Sequence, residues 1–160
     1  MPHFKRLLKK PLRAIPNSLT VFILVVALLG FADSSFLAVE HFLGRVPPCS
    51  ITAGCEQVLT STYATIYSIP VSLVGVVFYL LILVGVFAFL ESKAIWPLKW
   101  ALLLTIPGFL ASLWFVYIQV FIIHSYCAYC LGSALTSTIL FVAAMDIFAR
   151  YQQLDYEQAL

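Results

Sequence analysis

Charge is scarce in this sequence. Only 10% of its 160 residues are Asp, Glu, Lys or Arg, while 62% are hydrophobic; soluble domains carry roughly 25% charged residues. A chain so poor in charge cannot keep its surface in water, which excludes an ordinary soluble domain. The connections between its apolar runs leave no room for a second, soluble domain. Cysteine is missing from the interior of every apolar run. Cations are nearly missing from two of the three connections, where Arg45 stands alone. The net charge of +2 says little by itself, and no nucleic acid is expected among the partners.

What the chain does have is apolar length. A spanning helix needs about 20 mostly apolar residues, and four segments qualify, at about 18–39, 70–90, 100–123 and 127–149. They predict an all-α membrane protein, a four-transmembrane-helix bundle forming one domain over residues 1–160. The leader MPHFKRLLKKPLR and the apolar run after it imitate a secretory signal, with Gly30-Phe31-Ala32 as a cleavage-like site. The run continues to Val39, which is longer than a signal core, so it reads as the first span. Orientation follows from Lys and Arg. Lys5, Arg6, Lys9, Lys10, Arg13, Lys93, Lys99 and Arg150 fall on one side, eight of nine cations. Both termini and the 91–99 connection are therefore expected in the cytoplasm, and the connections at 40–69 and 124–126 outside.

All four cysteines, Cys49, Cys55, Cys127 and Cys130, lie in or beside the outward connections. In a bacterial cell envelope or its equivalent that side is oxidising and admits disulfide chemistry. Four cysteines allow three connectivities, and a redox enzyme can use more than one in turn. Two structural staples are the plain alternative. A four-thiolate metal site fits less well, because the first spacing is Cys-x5-Cys and the second pair opens a membrane helix. Cys127 and Cys130 stand where the last span begins. Unpaired N–H groups and the positive end of the macrodipole stabilise a thiolate there. Residues three apart in a regular helix have Cβ atoms about 5–6 Å apart, whereas a disulfide wants roughly 3.8 Å. A bridge at this place sits on a frayed helix start or carries strain, and strained bridges are the exchangeable ones.

The outward connection 40–69 is long for a structureless loop. Its first part, VPPCSITAGC, is rich in Pro, Gly and Ser and sets Cys49 on a mobile segment. Its second part, EQVLTSTYATIY, carries Val58, Leu59, Tyr63 and Ile66 at helical spacing. That pattern predicts a short amphipathic helix lying on the membrane surface and capping the bundle, with Pro70 opening the second span. Cys55, at the start of the capping helix, comes within reach of the Cys127/Cys130 pair. One mobile pair and one fixed pair point to a relay by thiol–disulfide exchange.

The run CSITAGCEQVLTSTYATIYSIPVSLVGVVFY, followed by CAYC at the last span, resembles the vitamin K epoxide reductase family. The likeness is to its bacterial members, disulfide-generating quinone reductases, and it extends over residues 18–149. It rests on the Cys-x5-Cys pair, Ser61, the Ile69-Pro70 entry, Gly75, Tyr79 and the Cys-x-x-Cys. The resemblance implies Cys130 beside a quinone, ubiquinone or menaquinone, with Cys127 exchanging with Cys55 and Cys49 meeting the partner. It implies that Ser61, on the capping helix, lies near Cys130 and hydrogen-bonds it or the quinone. The implied partner is a periplasmic thiol oxidase of thioredoxin fold. Many bacterial relatives carry such a domain after the fourth span; here RYQQLDYEQAL follows, so a separate protein is expected in that role. The implied location is the bacterial inner membrane, with the cysteines facing the periplasm. Vertebrate members place Asn and Tyr where Val71 and Ala134 stand here. Those two positions argue against epoxide reduction and for a quinone held by apolar contact. A reductase whose useful product is the reduced quinone is the alternative within the class.

Asp33, in FADSSFL, is an intramembrane carboxyl, and such groups are functional by default. The expectation for it is structural, close enough to the interface or to Ser34 and Ser35 to be satisfied, with quinone protonation as the alternative. His41 and His124 read as interfacial anchors, and Tyr126 and Tyr129 as part of the aromatic belt. Ser133 and Ser137 follow Cys130 along one helix face. Pro107-Gly108 is expected to bend the third span.

Overall fold

Pro16, extended at φ −65° and ψ 138°, starts the first helix; its carbonyl accepts from the N–H groups of Leu19 and Thr20. The computed structural model describes residues 16–49, 54–92 and 94–159, with side chains to Arg150. The N-terminal cation cluster, the loop residues 50–53 and Lys93 lie outside the described residues. Helix α1 runs over Asn17–Phe42 and buries Thr20, Ile23, Ala27, Gly30, Ser34 and Leu37, a 3-4 repeat that keeps one stripe on the core. At its end Leu43 donates to Val39, and Gly44 turns the chain away at φ +66°.

The capping element is shorter than its apolar spacing predicts. Helix α2 covers only Cys55–Leu59, and a 3-10 turn follows at Thr62–Ala64. The hydroxyls of Thr60 and Ser61 donate to the carbonyls of Glu56 and Val58 at 2.6 and 2.7 Å. Hydroxyls that bond the preceding turn compete with helix continuation, so Ser61 falls after the helix instead of on it. Val58 is buried and Leu59 packs beside it, whereas Tyr63 and Ile66 are exposed. The chain then forms a small antiparallel hairpin, β1 (Thr65–Ile66) with β2 (Ile69–Pro70), in register Thr65↔Pro70 and Ile66↔Ile69. Tyr67 and Ser68 at its tip have φ of 49° and 66°, the left-handed pair of a tight hairpin turn. Pro70 thus ends a strand, and the second long helix, α3, begins at Val71 and continues to Ser92.

Helix α4 covers Ile95–Tyr117, starting before the apolar run at Trp100, and it is continuous through Pro107. It passes into a π-helical stretch, Ile118–Ile123, that ends on His124 at φ 55°. Helix α5 follows over Ala128–Ala159, so Cys127 precedes the helix instead of opening it.

Helix α1 packs on α3 and α5, and α4 packs on the same two helices, closing a four-helix ring. Its centre holds Ile23, Ala27, Tyr79, Val86, Leu98, Leu102, Leu140 and Ala144. Close approach of α1 and α3 depends on glycine. A Cβ on Gly30 would overlap the Tyr79 ring, and one on Gly75 would come to 2.8 Å from the Ser34 hydroxyl. All four long helices are also apolar on the outside, with Leu29, Leu80, Leu113 and Val142 at least 45% exposed. Each is long and apolar enough to cross a membrane, as Asn17–Phe42, Val71–Ser92, Ile95–Ile123 and Ala128–Arg150. Helices apolar all round are at home in lipid.

Candidate functional site

The cysteines meet at one end of the bundle. Cys49 and Cys55 are joined by a disulfide with Cα atoms 6.0 Å apart, and Cys127 and Cys130 are thiols. Cys55, Val58 and Cys127 form one buried cluster, against which Cys49, Cys130, Leu59, Ile123 and Tyr129 pack. The residue that brings α2 so close is Gly54. A Cβ there would stand 2.7 Å from the backbone nitrogen of Tyr126, so the helix start lies directly on the segment leading to Cys127. Tyr129 secures the other side. Its hydroxyl donates to the Pro48 carbonyl at 3.3 Å, and its ring meets Phe36 at a centroid distance of 5.6 Å.

Cys127 acts as the N-cap of α5. Its carbonyl accepts from Leu131, and its sulfur accepts the backbone N–H of Cys130 at 3.4 Å. An N-cap side chain that satisfies the third amide of a helix is a common stabilising device; here the cap atom is a reactive sulfur. The Cys127 thiol, which lies just before the span, is lowered to about 7. The hydrogen bond from the Cys130 thiol is the largest cause, burial opposes it, and the backbone N–H groups of Cys130 and Tyr129 add to the lowering. Close to half of a thiol with such a value is thiolate at neutral pH.

Gln119 holds the same residue from behind. Its side-chain carbonyl accepts the Cys127 N–H at 3.0 Å, and its amide donates to Phe115 at 3.4 Å. Gln119 is fully buried, in the π-helical turn. Sequence reasoning missed it, although it is the one amide in the apolar run 100–123 and stands eight residues before Cys127.

Beneath the cysteines a cavity of about 940 Å³ opens between the helices. Cys130 lines it and Cys127 does not. Ser61, Val71 and Ala134 also line it, all half-buried. The Ser61 hydroxyl is directed to Val58, not to Cys130. Pro107 and Gly108 belong to the wall, His41 stands in the lining, and His124 does not. Tyr79, also in the lining, is anchored by its hydroxyl to Thr136 at 2.7 Å and to the Ser133 carbonyl at 2.9 Å. Two buried oxygens of the lining have no hydrogen-bond partner among the described residues, Asp33 Oδ2 and Ser137 Oγ. Buried polar atoms are normally paired. An apolar cavity of this size with two such atoms fits a mainly hydrophobic ligand that carries a few oxygens.

Four spanning helices, paired cysteines and an apolar cavity behind one thiol together describe a membrane redox protein. Comparison with curated proteins gives no match. Comparison with protein families matches residues 21–145, most of the chain, to the vitamin K epoxide reductase family. That family consists of multi-pass membrane oxidoreductases that work between cysteine pairs and quinones. This chain belongs to the vitamin K epoxide reductase family.

Proposed function

We propose that the chain is a thiol:quinone oxidoreductase that generates disulfides for exported proteins, acting as one membrane domain over residues 1–160. One observation carries the reading: Cys55 packs against Cys127 in the cluster that also holds Cys49 and Cys130, and Cys130 alone of the four lines the cavity. In this reading a reduced thioredoxin-fold partner, a separate protein, attacks Cys49 and opens the Cys49–Cys55 bond. Cys55 then attacks Cys127 of the Cys127–Cys130 disulfide, and Cys130 leaves as thiolate and takes up a proton. The partner's second thiol attacks the mixed disulfide, so the partner leaves oxidised and Cys49 is freed as thiolate, and Cys49 displaces Cys127 from Cys55. The arrangement seen, loop pair bonded and helix pair reduced, corresponds to the end of that exchange.

A bound quinone supplies a two-electron, two-proton acceptor, and the chain's part is to hold a thiol beside it and keep water out. Cys130 presents that thiol, while Val71, Ala134 and Phe78 offer apolar wall. The volume and the two unpartnered oxygens fit such a ligand. With cations on one side and cysteines on the other, the cysteines face the periplasm of a bacterial inner membrane and both termini lie in the cytoplasm.

The test is reconstitution in lipid vesicles with a short-tailed ubiquinone or menaquinone and a reduced thioredoxin-fold protein. The reading requires oxidation of that protein's dithiol, with a mixed disulfide trapped on Cys49 when the donor retains one cysteine. No oxidation, with all four cysteines permanently bridged, would show two structural staples instead. In cells, loss of the protein should leave exported proteins reduced.

A further inference from the structure

Helix α1 presents Asp33, Leu37 and His41 to the cavity. They are four residues apart in turn, which puts them on one face, with about 12 Å between the first and last. Arg45 lines the cavity beyond them, in the loop. One wall of the cavity is therefore a line of ionisable groups that begins inside the span and ends at the connection. Beside it, the neighbouring helix α5 presents Cys130, Ser133, Ala134 and Ser137, one helix face at spacings of three and four. Ser137 is only 2% exposed, yet its hydroxyl has no partner among the described residues, and neither has Asp33 Oδ2. No cation lies within ion-pair distance of Asp33 among the described residues. A carboxylate without a partner in an apolar cavity is costly, whereas a carboxylic acid that donates to a ligand is not.

We propose that Asp33 and Ser137 receive the oxygen-bearing end of the quinone, Ser137 as a hydrogen-bond donor and Asp33 as the acid that hands it a proton. This rests on the thiol:quinone reading above and gives the cavity its chemistry. Proton balance is the reason an acid is needed. With Cys127 as thiolate and Cys130 as thiol, the pair holds one proton. Closing the Cys127–Cys130 bond breaks the Cys130 S–H bond, forms the S–S bond, and releases two electrons and that proton. Two electrons delivered to a quinone call for two protons, one on each ring oxygen. Asp33 supplies the second and regains it from water along the His41 and Arg45 side. Charge at Asp33 also opposes the thiolate of Cys127, so a neutral Asp33 and a Cys127 thiolate favour each other. The other ionisable groups around the cavity are Tyr63 in the loop, Tyr79 on α3 and Cys130 on α5; α4 contributes none among the described residues.

The experiment uses the full chain in lipid, with a short-tailed ubiquinone as probe. Two measurements are made: the infrared band of protonated carboxyl groups before and after ubiquinone addition, and the single-turnover rate of Cys127–Cys130 closure against pH. In the natural protein, ubiquinone should shift a carboxyl band that is missing from Asp33→Asn. The same variant should close the disulfide about 100-fold more slowly, the usual scale for loss of a general acid, with its pH dependence flattened. Asp33→Glu should recover much of the rate. Ser137→Ala should weaken ubiquinone binding about two- to ten-fold, as for one hydrogen bond. If the natural protein reacts but no carboxyl band responds, or Asp33→Asn keeps the natural rate and pH profile, the Asp33 assignment is overturned and the thiol:quinone reading stands. If ubiquinone never oxidises the natural Cys127 and Cys130, both fail together. Where Asp33→Asn does not fold, Asp33→Glu carries the assignment, because it keeps an acid there but should move the ubiquinone-sensitive carboxyl band; a band left in place would overturn the Asp33 assignment.

Discussion

Replacing Gln119 with Leu tests how the buried thiol is held in place. Gln119 Oε1 accepts the Cys127 N–H at 3.0 Å, and both residues are 2% exposed or less. Leucine fills a similar volume but cannot accept, so the Cys127 N–H is left buried without a partner. An orphaned buried donor costs about 1–3 kcal/mol. The cost falls on the native arrangement, since in a locally opened state water satisfies the same N–H. Opening of the Cys127 segment should therefore become about 5- to 150-fold more frequent, at roughly 1.4 kcal/mol per decade. The assay is maleimide labelling of Cys127 in a Cys130→Ser background, where closing outruns labelling and the rate follows the open population. The melting temperature in detergent is recorded in parallel to separate local from global loosening. An unchanged labelling rate would refute the reasoning and show that the Gln119 contact does not hold Cys127. A faster rate with an equally large fall in melting temperature would show that the contact supports the whole bundle and not the thiol in particular.

Alkylation of Cys127 by iodoacetamide should rise through pH about 7 and fall away below it, because the thiolate reacts and its folded value is lowered to about 7. Cys130→Ala removes the largest cause of that lowering and should move the midpoint up toward the ordinary thiol range. Tyr79→Phe deletes a hydroxyl bonded to Thr136 and Ser133 and should cost about 1 kcal/mol, read as a lower melting temperature with the cysteine pairs unaffected. Gly30→Ala places a methyl group inside the Tyr79 ring and should destabilise by about 1–3 kcal/mol through overpacking; an unchanged melting temperature would mean that α1 and α3 approach less closely than described. Gly54→Val should push α2 off the Ser125-Tyr126 backbone and slow exchange between the two cysteine pairs, measured as slower reduction of a Cys127–Cys130 disulfide by dithiol at Cys49/Cys55.

Much of this protein was legible in its residues alone. Four apolar runs of spanning length, with no connection large enough for a further domain, leave few architectures open once the backbone must bond internally in lipid. The four cysteines stand at run edges, so their gathering at one end of the bundle follows from an even number of crossings between them. Side chains posed a harder problem. A helix apolar on every side carries no stripe to show which face turns inward, and so nothing local told that Cys130 lines the cavity while Cys127 is sealed beneath Cys55. The same blindness hid Gln119, whose role depends on a π-helical turn, and it made Asp33 look like a group satisfied near the interface. The capping segment was legible in kind but not in extent. Its apolar spacing predicted a short helix, which Cys55–Leu59 forms, but the Thr and Ser hydroxyls at 60 and 61 bond back to the preceding turn, and the chain leaves as a hairpin. Sequence settled that this is a membrane bundle with two cysteine pairs at one end, because length and composition act locally. Tertiary structure decided which sulfur meets which, and which oxygens are left for a ligand, because it packs Cys55 against Cys127 and sets Asp33 and Ser137 in the lining of one cavity, residues far apart in the chain.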